Sequence, residues 1–231
     1  MTAPPSADEL ADVRRACDLA AAAQRRLLDR LDELVAAGRF DAGSPSRRTG
    51  SARGGLVAHL ARQADAHRGA LDAAADRRGI VEAGRRGGRP DLGRDGGLDG
   101  FDAQAGAPTP GHAVGDLRRA CAALESAWER TDWVGRTTSG STALVALGHL
   151  RLREVSLVSV DLDVGIELGD LDPTYVRLEL RRLQMVRGAR RPIGLGADPL
   201  PAAVAARPPA ERLGWLTGRL SIEGVDDVDP L

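Results

Sequence analysis

Hydrophobic positions between residues 7 and 37 recur at threes and fours among charges: Leu10, Val13, Cys17, Ala20, Leu27, Leu28, Leu31 and Leu34. That spacing gathers them on one face of a helix. Ser6 stands at the N-cap position with Glu9 three residues on, the pattern of a capping box, and Gly38 is placed to end the helix. After the stretch DAGSPSRRTGSARGG a second helix begins near Leu56, its inward face carrying Leu56, His59, Leu60, Gln63 and His67. A third helix runs from about Val114 to Thr131, with Leu117, Cys121, Leu124 and Trp128 on one stripe. The fourth apolar segment, STALVALGHLRLREVSLVSVDLDVGI, is ambiguous, because its β-branched second half also suits a strand. Residues 175–188 and 200–219 read as helical, and SIEGVDDVDPL as a short strand and tail. Between Gly84 and Gly111 dense glycine without periodicity predicts a mobile loop or lid.

The pattern predicts a mainly α protein, four principal helices followed by a mixed remainder, and the length allows one or two domains. Composition agrees with helices. Hydrophobic residues make up 42% of the chain, but there are only two Phe, one Tyr and three Trp, so the core rests on Leu, Val and Ala. A formal net charge of −1 supplies no general attraction toward nucleic acid. Lys and Asn are both absent, which fits a GC-rich coding bias and makes any one Arg weak functional evidence. Cys17 and Cys121 lie far apart and outside any metal-ligand spacing, as two buried apolar residues would. The N-terminal stretch has acidic residues where a secretion signal needs a basic region, and no run is apolar enough to span a membrane. A cytoplasmic protein with a small-molecule substrate, and neither nucleic acid nor membrane as partner, is the expectation.

Chemistry concentrates on His59 and Glu154. An imidazole and a carboxylate on separate helices meet inside a bundle only if both point inward, and either one buried alone is costly. Catalytic zinc sites commonly take three protein ligands and leave a fourth position open. His59 and Glu154 supply two. The third would come from Val158 or Asp161, which follow Glu154 at i+4 and i+7 on nearly the same helical face. Val158 cannot ligate, whereas Asp161 could bind a metal or orient another group.

Three segments carry a family resemblance. GGLVAHLARQADA, RLREVSLVSVDLDVG and LGWLTGRL, in that order, resemble the signatures of the mycothiol-dependent maleylpyruvate isomerase family. The resemblance implies a mainly α protein with a smaller α/β part, a DinB-like four-helix bundle over 1–168 joined to a small C-terminal α/β domain over 169–231, with mycothiol, the low-molecular-weight thiol of actinobacteria, used in isomerase or thiol-transfer chemistry. It places His59 and Glu154 on two metal ligands, zinc or another divalent ion being the implied metal. Asp161 falls on an Asp that acts near the substrate, and Arg219 on an Arg of the active site. Val158 and Ser159 stand where the family has two consecutive His, the first of which is its third ligand. Gln63 replaces the usual Asn, and Gly55 the first His of the second-helix pattern.

Two functions follow. One is a mycothiol-dependent isomerase or thiol transferase acting on a small electrophilic, carboxylated substrate through a degenerate metal site. The alternative is a metal-free descendant that binds a small molecule or serves a specialised biosynthetic step. Plainer roles stay open residue by residue. His59 also suits a hydrogen-bonded core position, Glu154 a partner of Arg151 or Arg153, Asp161 with Asp163 a solvated helix end, and Arg219 a helix-end contact. His67, His112 and His149 match no motif, and Trp128 and Trp133 read as packing and a helix-end anchor. The Arg-rich loop before the second helix suits an anionic ligand or plain solvation.

Overall fold

The computed structural model describes residues 4–48, 50–84, 110–137, 142–189 and 200–226. The expected lid between Gly84 and Gly111 lies almost wholly outside them. Seven α-helices account for most of what is described: α1 (Ala7–Ala36), α2 (Arg53–Gly84), α3 (Pro110–Arg130), α4 (Ala146–Asp161), α5 (Pro173–Ala189), α6 (Ala202–Ala205) and α7 (Pro209–Leu216). Among the described residues there is no strand, and β pairing is confined to isolated bridges, Pro45 with Ala52 and Arg136 with Ala143. The chain divides into two compact units, one through Leu162 and one from Asp163, so the boundary falls earlier than the one expected after residue 168.

In the first unit α1 opens on the capping box: the Glu9 amide donates to Ser6 Oγ at 3.2 Å and the Ser6 amide to Glu9 Oε2 at 2.8 Å. Two orphan donors of the first turn are thereby satisfied. At the other end Gly38 takes a left-handed φ of 64°, and the following amide, Arg39, donates to the Leu34 carbonyl. The four long helices pack in a ring, α1 against α3 and α4, and α2 against α3 and α4. Val13, Ala20, Leu27, Leu31, Leu60, Leu117, Leu124 and Leu144 fill its interior.

Helix α4 settles the ambiguity of the fourth apolar segment. Val155, Leu157, Val158 and Val160 are buried together with Ser156, Ser159 and Asp161, so the second half of the helix is covered on every side rather than on one stripe. A stretch buried all round belongs at the centre of packing, where burial outweighs the modest helix penalty of its valines. Its entry is close against α1. A Cβ built on Gly148 would lie 3.0 Å from Cys17 Sγ and 3.3 Å from the Val13 side chain. We expect Gly148→Ala to destabilise the protein by about 1–3 kcal/mol, the range for overpacking a filled core, read from the urea midpoint.

α2 begins earlier than the apolar pattern indicates, inside the Arg- and Gly-rich stretch. The Gly54 amide donates to the Ala42 carbonyl at 2.8 Å, and a Cβ at this position would meet the Ala42 Cβ at 2.8 Å, so a side chain there would push the loop away. That loop also reaches α4, the Arg47 amide donating to the Asp161 carbonyl at 2.8 Å.

The second unit has its own small core of Tyr175, Leu183, Val204, Leu213, Trp215 and Leu216, with α5 and α6 each packed on α7. Asp172 caps α5 by accepting from the Thr174 amide at 2.7 Å. The helical stretch expected over 200–219 is split by Pro208 and Pro209, which end one helix and begin the next. Where a terminal strand was expected, Glu223–Val225 form a turn with the Val225 amide on the Ile222 carbonyl. Residues 227–231 lie outside the described ones. The described part of this unit is therefore helical and not α/β.

Candidate functional site

His59 on α2 and Glu154 on α4 face each other across the packing of the first unit, Nε2 to Oε1 at 2.6 Å. Both side chains keep partial access to solvent, at 32% and 25% exposure. The hydrogen bond from His59 holds the Glu154 carboxyl below its usual pKa, helped by the charges of His59, Arg153 and Arg48 and opposed by burial. An ionised carboxylate only accepts, so the proton of this contact resides on His59 Nε2. In the neutral imidazole that leaves the lone pair on Nδ1, which is the arrangement of a general base oriented by a carboxylate.

The position where the family resemblance would put a third ligand is apolar and buried. Val158 is 2% exposed and apolar. Asp161 is buried at the end of α4, yet among the described residues no three His, Cys, Asp or Glu side chains are grouped so as to hold a metal ion. Asp161 is therefore not gathered with the other two. At 2.6 Å the two atoms are hydrogen-bonded to each other. The residues present do not fit a three-ligand metal centre. Arg219 belongs to the second unit, where its guanidinium donates to the Thr217 carbonyl at 3.1 Å. His112 pairs with Asp116 at 3.5 Å, and His149 is exposed.

Arg151, one turn before Glu154, reads from the sequence only as a candidate partner of that carboxylate, and its larger role was missed. It is fully buried, and its fork reaches all the other helices of the ring: Nε donates to Gln24 Oε1 on α1 at 2.6 Å, Nη1 to the Leu60 carbonyl at 2.9 Å and Gln63 Oε1 at 3.2 Å on α2, and Nη2 to Cys121 Sγ on α3 at 3.2 Å. Gln24 passes the connection on, donating to Glu125 Oε1 at 2.7 Å. Only a guanidinium offers donors in a planar fork wide enough for this. The signal was present in the spacing, since Arg151 shares the stripe of Leu147, Val155 and Val158, and Gln24 that of Ala20, Leu27 and Leu31.

His67 lies on the same side of α2, near Arg151 and Glu154. Burial, with the Arg151 charge added and the Glu154 charge opposing, pushes its pKa down to about 4. Its Nδ1 is buried with no hydrogen-bond partner among the described residues. No described helix is long and apolar enough to cross a membrane. Comparison with protein-family models, with curated proteins and with solved structures finds nothing that matches this chain.

Proposed function

We propose that this chain is a divergent member of the mycothiol-dependent maleylpyruvate isomerase family, built on a DinB-like bundle. In this reading it works as an isomerase or thiol transferase on a small electrophilic, carboxylated substrate, with a His–Glu dyad where the family holds its metal. The observation that carries the reading is the 2.6 Å contact between His59 and Glu154 beside an apolar Val158. The three ordered motifs support the family, and the ring of four long helices supports the architecture.

Mycothiol, when bound, would supply a nucleophilic sulfur. The work of the chain is to handle its proton. His59 Nδ1 takes that proton, Glu154 stabilises the imidazolium through Nε2–H, and the proton returns when sulfur leaves or the product is released. Arg48 and Arg153, close enough to depress the Glu154 pKa, supply positive charge for a substrate carboxylate. In the family resemblance Arg219 and Asp161 complete the substrate contacts.

With mycothiol as the thiol and maleate as the electrophile, the wild type should give thiol-dependent isomerisation or adduct formation. His59→Gln should lose about a hundredfold in rate, at the low end of what a positioned base contributes. Equal rates in wild type and variant would refute the role of the dyad. The buried Val158 also favours the second reading, a metal-free small-molecule-binding descendant. That reading is preferred if maleate binds and neither isomerises nor reacts.

A further inference from the structure

Two contacts join α2 to α4 at successive turns. His59 Nε2 meets Glu154 Oε1 at 2.6 Å, and Gln63, four residues further along α2, accepts through Oε1 from Arg151 Nη1 at 3.2 Å. Positions i and i+4 of a helix share a face, with side chains starting about 5–6 Å apart. The Gln63 amide is therefore the next polar group on this face of α2 after the imidazole of the dyad. Both residues are half-buried.

Arg151 decides how that amide is turned. A guanidinium only donates, so the atom it holds is the amide oxygen, and the two N–H of Gln63 Nε2 are directed elsewhere. Nε2 makes no hydrogen bond to a described residue. It also keeps access to solvent, unlike Nδ1 of His67 one turn further on. An amide anchored through its oxygen thus presents two donors in a set orientation beside the base.

Charge makes those donors selective. Arg151 is fully buried and out of reach of a ligand, and every group that accepts from it is neutral: two glutamine amides, the Leu60 carbonyl and the Cys121 thiol, whose pKa burial raises. The cation polarises the Gln63 amide that it holds and strengthens the N–H donors on the far side. Arg48 and Arg153 add positive charge near Glu154, whose carboxylate His59 already engages. An anionic oxygen is the acceptor that such an arrangement favours.

We propose that Gln63 is a substrate-recognition residue of this site, its Nε2 donating to a carboxylate oxygen of the substrate and holding it one turn along α2 from His59. The inference rests on the reading above for the substrate, a small carboxylated electrophile, and on the two contacts for the residue.

The chain has four Gln and no Asn, so its side-chain amide NMR spectrum holds four pairs of signals, and the pair absent from Gln63→Glu belongs to Gln63. Titration of isotope-labelled wild type with maleate should move that pair saturably. Gln63→Glu keeps an oxygen for Arg151 but sets a carboxylate where the donors stood. Its thermal midpoint should not fall, while its affinity for maleate should drop at least about tenfold, the scale of a hydrogen bond lost to a charged group. Arg151→Met, which releases the amide oxygen, should raise the maleate concentration needed to move the Gln63 pair, a readout that lost stability alone does not change. A Gln63 pair that stays still while maleate binds, equal affinity in Gln63→Glu, or no binding to the wild type would overturn the inference. Failure of the functional reading alone looks different: maleate is bound, the Gln63→Glu loss is intact, and maleate neither isomerises nor reacts with thiol.

Discussion

Arg151→Ala should destabilise the protein by about 3–5 kcal/mol, the combined scale of buried acceptors left without a donor and of the cavity that a large-to-small change opens. Arg151 is fully buried and donates to Gln24, Leu60, Gln63 and Cys121, one or more acceptors on each of the other three helices of the ring. Truncation leaves the two glutamine oxygens without their donor and opens a cavity where four helices meet, and the costs add. Arg151→Met should cost clearly less, because it refills most of the volume and relieves the desolvation of the charge. Urea unfolding of the wild type and both variants reads the difference as a shift in midpoint at constant slope. A loss under about 1 kcal/mol for Arg151→Ala would show that the network contributes no net stability.

The second large effect is acid sensitivity centred on His67. Its folded pKa, about 4, lies below the ordinary 6.5. Between those values the unfolded chain binds a proton that the folded chain does not, so stability falls as the pH falls. The contribution is fully present above pH 6.5 and is lost by about pH 4. At roughly 1.4 kcal/mol per unit the loss amounts to about 3 kcal/mol. The groups acting on His67 are the Arg151 cation, which disfavours its protonation, and Glu154, which favours it. His67→Leu should flatten the stability profile over this window and change little at neutral pH, since the Nδ1 it removes has no described partner. Glu154 adds a separate loss of the same sign at lower pH, because its carboxyl is held below 4.5 and its contribution disappears as it protonates. Unfolding midpoints measured from pH 7 to pH 4 distinguish the two: an unchanged slope in His67→Leu would remove His67 as the cause.

Much of the helical plan was legible because periodicity and caps are local. Ser6 with Glu9, and Gly38, mark the two ends of α1 at positions set by neighbours in sequence. The beginning of α2 was less legible, since it depends on how closely Gly54 approaches Ala42, a contact between residues that no periodicity connects. The β-branched end of α4 was ambiguous for the opposite reason. Helix and buried strand present the same run of valines, and only the packing on every side decides between them. A terminal strand needs a partner strand, and the described residues offer none.

The candidate site divides in the same way. That His59 and Glu154 could meet followed from residue type and from the family resemblance. That they bond directly, with Asp161 apart from them, is a matter of distances that a sequence does not contain. Arg151 was hidden by composition. In a chain whose fixed cations are all Arg, one more Arg attracts no notice unless its place on an apolar stripe is read first. Cys121 was read as a plain buried residue, and its sulfur proves to be one of the acceptors that hold the Arg151 charge inside the ring.

The central claim is that His59 and Glu154 act as a hydrogen-bonded dyad and not as two ligands of a metal ion. The most direct test is the metal content of protein purified without a histidine tag, measured by mass spectrometry after exposure to excess zinc and gel filtration. The dyad predicts zinc far below one ion per chain, and no difference between wild type and His59→Ala. One zinc per wild-type chain, lost in His59→Ala, would contradict it.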